Sequence, residues 1–118
     1  MNHSKLVKTL AKPGQDVLNT ITVDEMELLH MAVGVAGEAG ELLDAVKKHV
    51  FYNKELDVPN VIEELGDLEF YMEGIRQNLH IPRALTIQHN ILKLNVRYAE
   101  GYSDKAAHER ADKNKGEI

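Results

Sequence analysis

From Leu28 to Val46 an apolar residue returns at every third or fourth position: Leu28, Ala32, Val35, Ala39, Leu42 and Val46. That spacing marks one face of an α-helix, and nowhere does the chain show the β-branched alternation of a half-buried strand. Just upstream, Thr22-Val23-Asp24-Glu25 has the form of a capping box, with Thr at the N-cap and Glu three residues on. A helix is therefore predicted from there to about Tyr52. A second is predicted from Asp57-Val58-Pro59, where Asp can cap and Pro suits the first turn, to about Asn78. Its stripe is Val61, Leu65, Leu68, Met72, Ile75 and Leu79. Pro82 opens a third helix, to about Tyr98, with Ile87, Ile91, Leu94 and Tyr98 on one side. Gly101 stops it, and Ser103 caps a short helix from Asp104 to about Ala111. Residues 1–20, broken by Pro13-Gly14, are expected to hold only a turn or two.

The expectation is an all-α bundle of three main helices plus a short C-terminal helix, since 118 residues suit one domain with a real core. It occupies residues 21–112, between a partly irregular segment 1–20 and a polar tail 113–118, with fraying from Asp112. Three amphipathic helices leave the core open on one side. Homo-oligomerisation completes it, or else the N-terminal segment does. With no cysteine there is neither a disulfide framework nor a thiolate site, which fits a reducing compartment. No apolar run approaches the ~18 residues that span a bilayer, and Met1 to Lys12 has no apolar secretion-signal core. The expected setting is cytoplasmic, with no membrane partner.

Charge is unevenly spread. Residues 24–73 hold 13 of the 19 acidic residues and only three bases, Lys47, Lys48 and Lys54, whereas the flanks are net basic. A formal charge of -5 disfavours a nucleic-acid partner. Within the acidic stretch, Glu38 and Glu41 are spaced i, i+3 on the first helix, and Glu64 and Asp67 repeat that spacing on the second, with Glu63 beside them. Each pair lies ~60° apart on one helix face, so two packed helices can aim four carboxylates at one point. Two carboxylates ~4 Å apart repel by roughly 4 kcal/mol at an effective dielectric of ~20, so such a cluster demands counter-charge. An all-oxygen donor set without His or Cys selects Mg²⁺, or Mn²⁺ as a substitute, over zinc. Di-iron carboxylate bundles use Glu-x-x-His, which neither pair has. The bland alternative is that these are ordinary surface glutamates. Glu69, Glu73, Arg76 and Gln77 fall on the far side and read as solvated face.

Gly34, Gly37 and Gly40 sit inside the first helix, where each costs ~1 kcal/mol relative to Ala, so close approach of a ligand or of a neighbouring helix must compensate. On the third helix Arg83, Thr86, Asn90, Lys93 and Arg97 fall within an ~80° arc, a basic stripe able to meet phosphate. His30 and Lys48 share a stripe with Glu41. Lys48 can reach phosphate or, with Lys47, serve as a last-turn cation. His30 can contact base or sugar or be a structural polar residue, and Tyr71 can stack on a base or pack in the core.

Gly37-Glu38-Ala39-Gly40-Glu41-Leu42-Leu43-Asp44, followed after a spacer by Glu63-Glu64-Leu65-Gly66-Asp67-Leu68, resembles the MazG-like nucleotide pyrophosphohydrolases of the all-α NTP pyrophosphatase superfamily. Asn90 to Tyr98 and Gly101-Tyr102-Ser103 look like that family's third-helix segment. The resemblance covers roughly residues 29–107. It implies a Mg²⁺-dependent enzyme, dimeric or tetrameric, that hydrolyses a nucleoside triphosphate to monophosphate and pyrophosphate. Glu38, Glu41, Glu64 and Asp67 take the metal positions, and Glu38 or Glu41 orients or deprotonates the attacking water. Lys93 and Arg97 take phosphate positions, and Asn90 supports the ligand. Gly37 stands where some members carry a second Glu. Rival substrates within that class are phosphoribosyl-ATP, dUTP and (p)ppGpp. From another class, the chain reads as a non-catalytic acidic helical module that binds a basic partner.

Overall fold

The computed structural model describes residues 2–114. Every described element is a helix: α1 (His3–Leu10), α2 (Gly14–Thr20), α3 (Val23–Phe51), α4 (Val58–Leu79), α5 (Arg83–Arg97), α6 (Asp104–Glu109) and α7 (Ala111–Asn114). The all-α expectation holds, with long helices packing together. Among the described residues no helix is long and apolar enough to cross a membrane. The chain forms two compact units that divide between Asn78 and Leu79.

Local chemistry explains the boundaries in the first unit. The capping box at Thr22 is complete: the Glu25 N–H donates to Thr22 Oγ1 at 3.1 Å, and the Thr22 N–H donates to Glu25 Oε1 at 2.9 Å. Asp57 caps α4 by accepting the Asn60 N–H at 3.1 Å. α3 and α4 run antiparallel, as shown by the pairing of low-numbered α3 residues with high-numbered α4 residues. Asn78 Nδ2 donates to the Asp24 carbonyl at 3.0 Å, Met31 packs on Gly74, and the Tyr71 ring packs on Gly34. A Cβ at Gly34 would overlap that ring. Tyr71 also meets Phe70 edge-on, with ring centroids 5.2 Å apart. Core packing is thus the role the structure gives Tyr71.

Several expectations change. Residues 1–20 carry two helices of about two turns each rather than a turn or two in all, because Asn2 caps α1 by accepting the Lys5 N–H and Pro13 sits at the N-cap of α2. Arg76 is not on a solvated face. It is 9% exposed, its guanidinium held by Glu73 at 2.9 Å and Glu69 at 3.9 Å while its stem lies along the protein. Gly37, Gly40 and Gly66 have no neighbour where a Cβ would stand, so close approach accounts for Gly34 but not for them.

In the second unit, Pro82 stands at the N-cap of α5, and Ser103 Oγ accepts the Ala106 N–H at 3.0 Å to start α6. α6 ends at Glu109, short of Ala111, because Arg110 turns into the left-handed region at φ 47. Of the expected tail, Lys113 and Asn114 belong to α7, and residues 115–118 lie outside the described residues. Asp112, expected to fray, is 5% exposed and pairs with Arg97.

Gly34→Ala should lower stability by at least about 1 kcal/mol through overpacking against Tyr71. Gly40→Ala, with open space at its Cβ, should raise it by about 0.5–1 kcal/mol through helix propensity. Denaturant titration followed by circular dichroism checks both.

Candidate functional site

The seam between α3 and α4 brings three of the four motif carboxylates together. Glu38, Glu41 and Glu64 each offer an oxygen, and these oxygens lie within 4.8 Å of one another. Glu38 and Glu41 are one turn apart on α3, and the antiparallel pairing sets Glu64 of α4 opposite them. Glu64 is buried at 7% exposure, Glu38 is half-buried and Glu41 is exposed. Asp67, half-buried one turn further along α4, stands outside this cluster. Glu63 is exposed, and only Glu64 of that doublet joins the group.

Electrostatically the cluster is under-compensated. Glu38 Oε2 and Glu64 Oε2 are closed off from solvent and have no hydrogen-bond partner among the described residues. Two ionised carboxylates have no donor to offer each other, so a proton or a cation must come between them. The proton alternative shows in the titration of Glu64. The adjacent Glu38 carboxylate, with which Glu64 can share a proton, is the largest cause that pushes the Glu64 carboxyl up to about 7, and burial and Glu41 add to it. The cation alternative suits the same atoms: three carboxylates with orphaned, water-excluded oxygens form an all-oxygen donor set fit for a hard divalent ion. Clusters of acidic side chains also occur without any ion, so geometry alone does not select the metal.

The other candidates are distributed more widely. His30 is exposed and lines a pocket of about 280 Å³ with Glu27, Met31, Gly74, Gln77 and Asn78, a set that contains none of the clustered glutamates. Its ring lies 6.4 Å from that of Tyr71. Lys48 pairs with Asp44 at 2.9 Å in the last turns of α3, and that hydrogen bond raises its pKa. In the second unit Asn90 and Lys93 line a pocket of about 360 Å³ with Thr86, His89 and Lys113. Arg97 stands apart from that pocket: its Nε donates to Asp112 Oδ1 at 3.0 Å, leaving Arg97 Nη2 and Asp112 Oδ2 buried without partners. Burial pushes the Asp112 carboxyl up, but the Arg97 pair outweighs it and holds the group below the usual carboxylate range.

Sequence reasoning missed Asp112 as the partner of Arg97, and His89 and Lys113 as neighbours of Asn90 and Lys93. His89 was legible as a residue adjacent to the basic stripe. The partners from α7 lie beyond the reach of helical periodicity. Comparison with known proteins gave no match among family models, curated proteins or solved structures.

Raising the pH from about 4.5 to about 7 should destabilise the metal-free chain. Folded Glu64 keeps its proton to about 7 whereas unfolded Glu64 loses it near 4.5, so the native state binds more protons across this window and its advantage falls as pH rises. Glu64→Gln, which needs no proton, should flatten this part of the melting temperature profile against pH.

Proposed function

We propose that the chain is a Mg²⁺-dependent nucleotide pyrophosphohydrolase, converting an NTP or dNTP to the monophosphate and pyrophosphate as the MazG-like enzymes do. The observation that carries this reading is the Glu38, Glu41 and Glu64 cluster, with its two orphaned oxygens shut away from water. It stands on the very residues whose spacing produces the family resemblance. Glu38, Glu41 and Glu64 would hold the ion, and Asp67 enters the ligand set on the strength of the resemblance. When bound there, Mg²⁺ supplies Lewis acidity toward phosphate oxygens and a water of lowered pKa. Mn²⁺ is the natural substitute, having the same preference for oxygen.

The chain's own groups divide the remaining work. Glu41 is the exposed member of the cluster, open to an incoming water, whereas Glu38 and Glu64 present buried oxygens. Glu41 therefore suits orientation and deprotonation of the nucleophile, and Glu38 suits metal holding. The resemblance assigns Lys93 and Arg97 to phosphate and Asn90 to support of the ligand. A pocket carrying Lys93 and Lys113 has the charge for that role, and Asn90 supplies an amide donor. Arg97, engaged by Asp112, keeps its Nη2 unspent. His30 in its pocket suits contact with base or sugar, and Lys48, tied to Asp44, suits a last-turn cation more than a phosphate ligand. Dimeric or tetrameric assembly and a cytoplasmic place of work belong to the same reading.

The experiment is a panel of canonical and modified NTPs and dNTPs, with alarmones included, assayed with Mg²⁺ for monophosphate and pyrophosphate. Glu41→Gln should cut pyrophosphate release by at least about 100-fold, within the range of general base catalysis, with helicity and melting temperature retained. Near-normal release by that variant removes the mechanism. No hydrolysis of any member of the panel leaves the acidic binding module as the better account.

A further inference from the structure

A second set of like charges lies in unit two, and it is basic. Thr86, His89, Asn90 and Lys93 follow one another along one face of α5, and with Lys113 of α7 they line a pocket of about 360 Å³. No carboxylate is among the lining residues. Two ammonium groups that share one pocket repel, and an anion is what relieves them. Lysine, imidazole, amide and hydroxyl together offer the donors that phosphate oxygens accept. Four of these residues come from one regular helix. Lys113 does not: it belongs to a helix of four residues, far too short to hold itself in place. It needs an anchor.

The anchor is its neighbour in sequence. Asp112 is 5% exposed and accepts the Arg97 Nε–H at 3.0 Å, a bond that joins α7 to the last residue of α5. Arg97 lies one turn beyond Lys93 on that helix, yet it does not line the pocket, and its Nη2 is closed off from solvent. Between α6 and α7 the chain turns through the left-handed region at Arg110, φ 47, and α7 packs on α5. We infer that Arg97 and Asp112 are positioning residues for a phosphate site and that Lys113 is its direct contact: their pair clamps α7 to α5, and the clamp keeps Lys113 in the pocket with Lys93. The resemblance gives Arg97 to phosphate. The geometry gives that role to Lys113 and leaves Arg97 to act through Asp112. A buried pair suits a clamp, because losing either partner strands the other charge away from water. That the phosphate belongs to a nucleotide rests on the hydrolase reading above, whereas the site itself needs only unit two.

Calorimetric titration of the full chain with inorganic pyrophosphate, in chelator and without Mg²⁺, reads this site apart from the acidic cluster. Lys113→Met should weaken binding at least about tenfold, the scale of one charged hydrogen bond, with the melting temperature unchanged because Lys113 is exposed. Lys113→Arg should restore most of the affinity. Asp112→Asn should weaken binding as well, and in that background Lys113→Met should cost little more, since both changes take the same contact away. The sign is decisive. Were Arg97 itself the phosphate contact and Asp112 its competitor, Asp112→Asn would tighten pyrophosphate binding, and that result overturns the inference. Should Asp112→Asn unfold unit two, Lys113→Met decides, and an unaltered affinity in that variant overturns the inference equally. No pyrophosphate binding by the unaltered chain overturns it whether or not nucleotides are hydrolysed. Binding with the expected losses but no hydrolysis of the nucleotide panel supports the clamp and removes the hydrolase reading alone.

Discussion

The close approach of α3 and α4 is the contact on which the rest of this molecule depends. Gly34 lets the Tyr71 ring lie against the α3 backbone, and Gly74 does the same for Met31 on α4. Each glycine costs helix propensity, and the cost is met by a contact that no other residue permits. Two turns beyond the Tyr71 contact, the same seam carries Glu38, Glu41 and Glu64 to within 4.8 Å of one another. Were the helices spread by a Cβ at Gly34, the carboxylates would separate too and gain water. The strain at the acidic cluster and the tightness of the seam are two aspects of one arrangement.

That arrangement stores an unresolved charge. Glu64 resolves it at low pH by keeping its proton to about 7. A divalent cation held there would resolve it at higher pH by displacing that proton, so proton and metal would compete for the same two buried oxygens. A group poised near neutrality is also a usual mark of a working site, although structural clusters show it as well. The exposed Glu41 is what distinguishes this seam from a sealed structural one, because it leaves the cluster a face toward solvent.

What could be read from the sequence was what depends on residues within a turn or two of each other. The capping box at Thr22, the Asp57 cap, Pro82 at the start of α5 and Ser103 at the start of α6 all involve partners three residues apart. The pairing of Glu38 and Glu41 with Glu64 was legible because i, i+3 spacing places carboxylates on one face, and two such faces on successive antiparallel helices meet. Asp67 shows the limit of that reasoning: periodicity gives its face, but its carboxylate stands outside the group that Glu38, Glu41 and Glu64 form. Arg97 and Asp112 show a different limit. They are 15 residues apart on separate helices, and the polar composition after Glu109 reads as solvated tail unless the buried partner is known. Arg76 was misplaced for a related reason, since its long stem buries while its head remains paired to glutamates of its own helix.

The separation of polar seam from apolar stripe follows from the geometry of a single helix. On α3 the cluster and the apolar stripe lie about 100° apart, so one helix serves two neighbours of opposite chemistry without mixing them. Had the glutamates lain on the apolar stripe, covering that stripe would have shut three carboxylates away from water together, with a repulsion that grows steeply as water is excluded. Holding the acids on the seam keeps them off the apolar stripe, so each face of the helix is left to one kind of neighbour. It also makes the cluster complete within unit one, where Glu38, Glu41 and Glu64 bring their oxygens within 4.8 Å of one another.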